Sequence, residues 1–195
     1  MSSNLPAQNS LPAPPVVALT GFMAAGKSTI GRALATRLHW RFIDLDGEIE
    51  AHSHLSIRQI FNQHGEIRFR QMESEALESV LTTLKKPTVI ALGGGTYVQP
   101  QNFALLRDHG VQAVFVELEI ETLLRRCRIL NVNGRPEQNP RPLVSDEDTF
   151  RALYAERLPL YRRAELTVLA SDKNEDQVAE EIALALGLPG PPHGR

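Results

Sequence analysis

The chain has 195 residues, of which 42% are hydrophobic, with a formal net charge of -2 and a single cysteine, Cys127. A charge so near zero argues against a broad basic surface for nucleic acid or membranes, and a lone cysteine cannot form an internal disulfide. The length suits one domain, and the lone cysteine suits a reducing cytoplasm. We expect a monomer with no nucleic-acid or membrane partner.

The first fifteen residues carry no charged side chain and include four prolines, Pro6, Pro12, Pro14 and Pro15. This composition fits neither the basic start of a signal peptide nor a helix, and no apolar run in the chain approaches the length of a membrane span. We expect residues 1–15 to be a disordered lead-in, residues 16–187 to form the domain, and residues 188–195 to be a flexible tail.

Residues 16–19 form an apolar run that predicts a strand, and residues 27–38 have a helical pattern. Between them, residues 21–28 read GFMAAGKS and match the phosphate-binding pattern G-x-x-x-x-G-K-[ST] at every specified position. In such a loop, backbone N–H groups surround the β-phosphate, the lysine reaches the β- and γ-phosphates, and the serine hydroxyl ligates Mg²⁺. We expect Lys27 to be an exposed charge where the loop meets the helix. The pattern predicts an ATP or GTP site formed by Ala24, Ala25, Gly26, Lys27, Ser28 and Thr29. The alternative is a glycine-rich turn without a ligand.

Downstream, short apolar runs alternate with helical patterns. Strands are predicted over residues 41–46, 88–92, 113–118 and 166–170, and helices over residues 56–63, 66–84, 122–129, 147–163 and 175–186. Residues 131–142 contain asparagine, glycine and three prolines, so we expect a mobile lid over about residues 130–143. Apolar strands that alternate with helices indicate an α/β fold, a five-stranded parallel sheet sandwiched by helices.

Ligands of such sheets bind beyond the carboxyl ends of the strands, so the residues after each strand are the candidates for chemistry. Asp44 and Asp46 end the second predicted strand and would share one face if the strand continued. One could hold a water of Mg²⁺ and the other the acceptor hydroxyl, whereas the alternative is that they cap the next helix. His52, His54 and His64 lack the spacing of a metal site, and we expect them on the surface.

Five further motifs occur in a set order. They are Phe42-Ile43-Asp44-Leu45-Asp46, Gly65-Glu66 with Phe69-Arg70, Leu92-Gly93-Gly94-Gly95, Arg141-Pro142-Leu143, and Glu156-Arg157-Leu158-Pro159-Leu160-Tyr161. Over roughly residues 16–186 the chain resembles the shikimate kinases, in which these motifs follow the phosphate loop in the same order. Gluconate and adenylate kinases share the phosphate loop but not this set.

The resemblance implies a nucleoside-monophosphate-kinase-like fold and an enzyme that uses ATP and Mg²⁺ to phosphorylate the 3-hydroxyl of shikimate in aromatic amino-acid synthesis. It implies Lys27, Asp46 and Arg141 as catalytic residues, with Asp46 directed at the substrate hydroxyls as a candidate general base. The other implied contacts are Ser28 and Asp44 to the metal, Arg126 and Arg141 to the nucleotide, and Arg70, Gly93, Gly94, Gly95 and Arg157 to the substrate.

A carboxylate such as that of shikimate is best bound by the planar fork of arginine, which suits Arg70. Glu73, three residues further along the same predicted helix, is spaced to orient the Arg70 guanidinium. Phe61 and Phe69 have two interpretations, an apolar wall against the substrate ring or packing in the core.

Two other arginines, Arg68 and Arg151, are expected to be solvated helix charges. In the lid, Arg135 precedes a proline as Arg141 does, and it competes with Arg141 for the position beside the phosphates. Two alternative functions stay open. One is a kinase for a different small hydroxy acid, and the other is a ligand sensor built on the same domain, against which the short lead-in argues.

Overall fold

The computed structural model describes residues 15–132 and 147–188, with residues 128–132 described by their backbone only. Strands and helices alternate through these ranges. The strands are β1 (Val16–Thr20), β2 (Arg41–Asp44), β3 (Thr88–Ala91), β4 (Gln112–Glu117) and β5 (Leu166–Leu169). The helices are α1 (Lys27–Leu38), α2 (Leu45–Ser53), α3 (Ile57–Thr83), α4 (Pro100–Asp108), α5 (Ile120–Val132), α6 (Glu147–Tyr161) and α7 (Glu175–Ala185).

The five strands form one parallel sheet in the order β2-β3-β1-β4-β5. Every residue of β1, the middle strand, and of its neighbour β3 is buried. Strands of a parallel sheet are apolar on both faces because the connecting helices cover both faces. The predicted α/β class and five-stranded parallel sheet are confirmed.

The carboxyl ends of three strands meet at one edge of this sheet. Leu19 of β1 and Asp44 of β2 are both in register with Ala91 of β3. The loops that follow these strands therefore leave the sheet side by side, with adjacent strands about 4.8 Å apart. This is the edge at which parallel α/β proteins bind their ligands.

Several predicted helices are confirmed. Helix α1 spans the predicted residues 27–38. The predicted helices over residues 56–63 and 66–84 are two segments of α3, which is interrupted at Gly65 (φ 75°, ψ 175°). Ser56 caps α3 in a reciprocal arrangement with Gln59, which explains why the helix begins there.

The second strand is shorter than predicted, and this corrects the placement of Asp46. Strand β2 ends at Asp44, and Asp46 lies in the first turn of α2, a helix that the sequence pattern did not indicate. Leu45 and Ile49, one turn apart, are both buried, and acidic residues in a first turn favour a helix start. Asp44 occupies the N-cap position of α2, as the capping alternative requires, but its side chain makes no capping hydrogen bond.

A second helix that was not predicted, α4, begins with Pro100 in its first turn. Helix α5 continues to Val132, beyond its predicted end at residue 129. Most of the predicted lid, the lead-in up to residue 14 and the tail from residue 189 lie outside the described residues. Within the described ranges, no helix is both long and apolar enough to cross a membrane.

Candidate active site

The loop between β1 and α1 curls through three residues with positive φ, namely Gly21 (144°), Ala24 (62°) and Gly26 (88°). Glycine adopts such angles freely, whereas the Cβ atom makes the left-handed conformation of Ala24 less favourable by about 1–2 kcal/mol. Gly26 is also the N-cap of α1, so the curled loop opens at a helix N-terminus. Backbone N–H groups in this arrangement bind phosphate.

Lys27 lies inside the phosphate loop, and the expectation that it is exposed is wrong. Its side chain is buried, and Nζ donates hydrogen bonds to the carbonyl oxygens of Gly21 (3.0 Å) and Phe22 (2.9 Å). The loop wraps around the ammonium group because its carbonyls need a donor and the charge needs polar partners. The ammonium is therefore held within the phosphate loop.

Two helices also contact the phosphate loop. The buried ring of Phe22 packs edge-on against Phe150 (5.0 Å between centroids) and Tyr154 (5.3 Å) of α6. Arg126 of α5 donates from Nη1 to the carbonyl oxygen of Ala24 (3.3 Å). Helices α5 and α6, which flank the predicted lid in sequence, thus both contact this loop.

Ser28 and Asp44, the two predicted metal ligands, are half-buried at the carboxyl edge of the sheet. A hydroxyl and a carboxylate are hard oxygen donors, and Mg²⁺ is usually held by one or two carboxylates together with substrate phosphates. Among the described residues, no cluster of three His, Cys, Asp or Glu side chains could hold a metal. The donors present fit a Mg²⁺ ion that binds with a nucleotide. Of the remaining loop residues, Ala25 is buried and Thr29 is exposed.

Gly93, Gly94 and Gly95, which follow β3 and are called the glycine loop below, are tightly surrounded by polar side chains. A Cβ atom on Gly93 would lie 2.8 Å from Oε1 of Glu73 and 2.9 Å from both Oδ1 of Asp46 and Oγ1 of Thr96. These contacts are closer than a real Cβ atom tolerates. The structure therefore brings Asp46 of α2 and Glu73 of α3 together at Gly93, and only glycine leaves room for them.

Arg70 reaches the same loop from α3. A Cβ atom on Gly95 would lie 2.7 Å from Cζ of Arg70. Nη1 of Arg70 donates to Oε2 of Glu73 (2.9 Å), and Oε1 of Glu73 accepts from the hydroxyl of Thr96 (2.6 Å). Glu73 and Thr96 are fully buried. The predicted contact between Glu73 and Arg70 is confirmed.

The charge of Arg70 is secured by its partners. Burial lowers the pKa of Arg70, but attraction to Glu73 and hydrogen bonds to Glu73 and Glu66 outweigh burial, so the net pKa is raised. Arg70 is thus a permanent cation beside the glycine loop.

Arg157 approaches the glycine loop from α6. Its side chain is buried, and Nη1 donates to the carbonyl oxygen of Gly94 (3.3 Å). The hydroxyl of Tyr161, one turn further along α6, donates to the same oxygen (2.5 Å). Two guanidinium groups from different helices therefore converge on one glycine loop, an arrangement suited to a carboxylate.

Phe69 is fully buried in the core, whereas Phe61 is half-buried, and their ring centroids are 4.5 Å apart. Core packing therefore describes Phe69. Arg68 is an exposed helix charge as expected and pairs with Glu75 (3.2 Å). The histidines expected on the surface, His52, His54 and His64, are all exposed.

Arg151 was expected to be a solvated helix charge, but it is held in two ion pairs. It forms ion pairs with Glu121 of α5 (2.7 Å) and Glu147 of α6 (2.6 Å). Hydrogen bonds to Glu121 and Glu147 raise the pKa of Arg151. The ion pair between Arg151 and Glu121 joins α6 to α5, the two helices on either side of the predicted lid. Arg135 and Arg141, the two candidates within the lid, lie outside the described residues.

Comparison with known proteins identifies the family. The family model described as shikimate kinase matches residues 23–186. The chain belongs to the shikimate kinase family. A shikimate kinase from Caldanaerobacter subterraneus subsp. tengcongensis is 39% identical over 87% of this chain and 94% of the relative, and one from Geobacter metallireducens is 40% identical over 85% and 88%. The solved structure of shikimate kinase from Acinetobacter baumannii in complex with shikimate superposes with a TM-score of 0.78 at 32% identity, covering 90% of this chain and 95% of that one.

The structure of this shikimate kinase shows two contacts in the candidate site that the sequence did not indicate. The hydroxyl of Thr96 holds Glu73, and the hydroxyl of Tyr161 holds the carbonyl of Gly94. Tyr161 ends one of the family motifs, which was a signal that could have singled it out. Thr96 directly follows the glycine triplet, and only the fold shows that α3 passes beside it.

Proposed function

We propose that this protein transfers the γ-phosphoryl group of ATP to the 3-hydroxyl of shikimate, which gives ADP and shikimate 3-phosphate on the route to aromatic amino acids. One observation carries the proposal: Arg70 and Arg157 converge on one glycine loop, beside the carboxylate of Asp46. The strand before this loop neighbours the strand before the phosphate loop. Membership of the shikimate kinase family supports it.

Arg70 and Arg157 would bind the carboxylate of shikimate. Each can present two parallel N–H donors to a carboxylate, and their burial strengthens these charge-assisted bonds. The backbone of Gly93, Gly94 and Gly95 would lie against the substrate because no side chain separates them.

Asp46 would orient the 3-hydroxyl and accept its proton. As the hydroxyl oxygen forms its bond to the γ-phosphorus, the bond from that phosphorus to the β–γ bridging oxygen breaks and ADP leaves. Such a transfer requires alignment and neutralisation of charge more than covalent chemistry from the protein. Lys27, already held inside the phosphate loop, would supply positive charge to the phosphate oxygens.

Ser28 and Asp44 would hold the Mg²⁺ ion. When bound, this ion neutralises charge on the phosphate oxygens of ATP and helps to orient them. Arg126, which contacts the phosphate loop at Ala24, would lie beside the nucleotide.

A lid over about residues 130–143 would close over ATP, exclude water and bring Arg141 to the transferring group.

Hydrogen exchange across this segment should slow when an ATP analogue and shikimate are both bound. Arg141→Ala should lower kcat more than it raises KM for shikimate. If Arg135→Ala is the damaging change and Arg141→Ala is silent, the position assigned within the lid is wrong although the kinase proposal stands.

An assay of ADP release with and without shikimate tests the proposed function. ADP release that depends on shikimate and is lost in Asp46→Asn is the expected result. Turnover with another hydroxy acid but not with shikimate would favour the alternative kinase. Tight binding of shikimate without ADP release would favour a sensor.

Binding measurements test the roles of the two arginines. Arg70→Ala and Arg157→Ala should each weaken shikimate binding by about 2 kcal/mol or more, roughly 30-fold, because each leaves a buried carboxylate short of a partner. ATP binding should change much less. Arg68→Ala is the matched control, since Arg68 lies on the same helix as Arg70 and, within the described part of the chain, pairs with the exposed Gln71 and Glu75. Equal loss of both ligands would contradict the assignment.

A further inference from the structure

Arg70 has two acidic partners that differ in how firmly they are held. Nη1 of Arg70 donates to Glu73, whose side chain is fully buried and also bound by Thr96. Nη2 and Nε of Arg70 donate to a single oxygen, Oε1 of Glu66, at 3.0 and 3.3 Å. The side chain of Glu66 is 64% exposed.

The planar guanidinium offers a carboxylate two edges for a two-point contact, Nε with Nη2 and Nη1 with Nη2. The second edge includes Nη1, which is bound to Glu73 and crowds against Gly95. The first edge is covered by Glu66. An incoming carboxylate therefore meets Glu66 at the edge of Arg70 that Glu73 leaves open.

We propose that Glu66 is an internal competitor for the substrate carboxylate, occupying the Nε and Nη2 edge of Arg70 until shikimate displaces it. The inference rests on the proposed function, in which Arg70 binds that carboxylate. Glu66 is the partner that leaves because an exposed carboxylate returns to water at little expense. Release of Glu73 would instead leave a buried charge without its ion-pair partner.

The backbone around Glu66 allows this exchange. Glu66 directly follows the interruption of α3 at Gly65, and its other neighbour, Ile67, is 80% exposed. The Glu66 side chain itself is largely exposed, so it can rotate away from Arg70 into solvent.

The isosteric variant Glu66→Gln tests the proposal, because it keeps the shape of the side chain and removes the competing charge. The dissociation constant of shikimate should fall about two- to fivefold, the range expected for loss of an exposed ion pair. The kcat should change less than twofold, and the KM for ATP should not change. An analogue of shikimate without the carboxyl group, which makes no use of this edge of Arg70, should bind both proteins equally.

Glu75→Gln is the matched control, since Glu75 is also 64% exposed, lies on the same helix and pairs with an arginine outside the site, Arg68. It should leave shikimate binding unchanged. Weaker binding of shikimate to Glu66→Gln would show that Glu66 instead holds Arg70 in position. Unchanged binding would show that the ion pair between Arg70 and Glu66 has no effect on the substrate. Either result would contradict the proposal that Glu66 competes with the substrate, while the kinase proposal would survive. A wild-type protein that does not bind shikimate would overturn both.

Discussion

Lys27 acts on both the ligand and the fold. Its ammonium group satisfies the carbonyls of Gly21 and Phe22 in a buried position, so removing it affects the loop even without nucleotide. The same charge lies where the β- and γ-phosphates of ATP would bind. A stability effect and a catalytic effect are therefore expected together.

Lys27→Met should lower turnover at least about a hundredfold, as loss of one charge-stabilising donor usually does. It should also lower the free energy of unfolding by about 1–3 kcal/mol, because buried carbonyl groups lose a donor. Steady-state kinetics and urea unfolding measure the two effects. Lys85→Met, at an exposed position, should change neither. An unchanged unfolding curve for Lys27→Met would contradict the buried position of the ammonium group.

Gly95 tests the link between the glycine loop and the substrate arginine. Gly95→Ala places a methyl group against the Arg70 guanidinium, which is the flexible end of a long side chain. We expect little loss of stability but a rise of about tenfold or more in the KM for shikimate, because Arg70 must move from its position. In an Arg70→Ala background the same change should have almost no further effect. Additive losses in the double variant would show that Gly95 acts through another group.

At the level of elements, the sequence predicted most of the sheet and the long helices, because apolar runs and helical periodicity are strong over those lengths. It did not predict α2, since the run through Asp44 and Leu45 to Asp46 alternates as a strand does. The structure turns this run into a helix start because Leu45 and Ile49 both become buried. Such tertiary burial is not visible in a local pattern.

The candidate site was predictable to a similar extent. Motifs identified Arg70, Arg157 and the three glycines, but the contacts between them come from the packing of α3 and α6 around the glycine loop. The bond from Thr96 to Glu73 joins residues that are 23 positions apart. The exposure predicted for Lys27 was wrong because local sequence does not show that the loop folds over it.

The interruption of α3 at Gly65 is a backbone requirement and not a packing one. Its φ of 75° and ψ of 175° lie in a region that is essentially restricted to glycine, while a Cβ atom there would meet no atom of the described residues within 4 Å, its chain neighbours aside. Gly65→Ala should therefore lower the free energy of unfolding by about 1–3 kcal/mol through backbone strain alone.

Gly47→Ala is the matched control for this element, because Gly47 is an exposed glycine within α2 and its Cβ atom would make an ordinary contact of 3.7 Å. It should be neutral or stabilise the protein by up to about 1 kcal/mol. Urea unfolding of both variants measures the difference. Equal effects of the two substitutions would show that Gly65 does not need its unusual backbone angles.

At the level of the whole molecule, the strand order puts the phosphate loop after β1 beside the glycine loop after β3. Nucleotide and acceptor are therefore expected to meet above the middle of the sheet, and binding of both should stabilise the domain as a unit. A monomeric state, which remains a prediction from the sequence, is measurable by sedimentation.

Cys127 provides a probe of that stabilisation, because it is the single cysteine and its side chain is fully buried. Burial raises the pKa of its thiol to about 11, so at pH 8 only about one thiol in a thousand is ionised in the folded state. A group whose pKa is raised by folding favours the folded state below its unfolded pKa, here 9.0, and this contribution is lost as the pH rises towards 11.

Labelling of Cys127 by a disulfide reagent at pH 8 should therefore be slow and should require unfolding. A ligand present at a hundred times its dissociation constant stabilises the folded state by about 2.7 kcal/mol, so shikimate or ATP should each slow labelling about a hundredfold. Both together should slow it further. Asp46→Asn and Arg157→Ala should lose much of the protection given by shikimate and keep that given by ATP. Rapid labelling that neither ligand slows would show that Cys127 is reached by local opening of α5, so that the domain does not respond to its ligands as one cooperative unit.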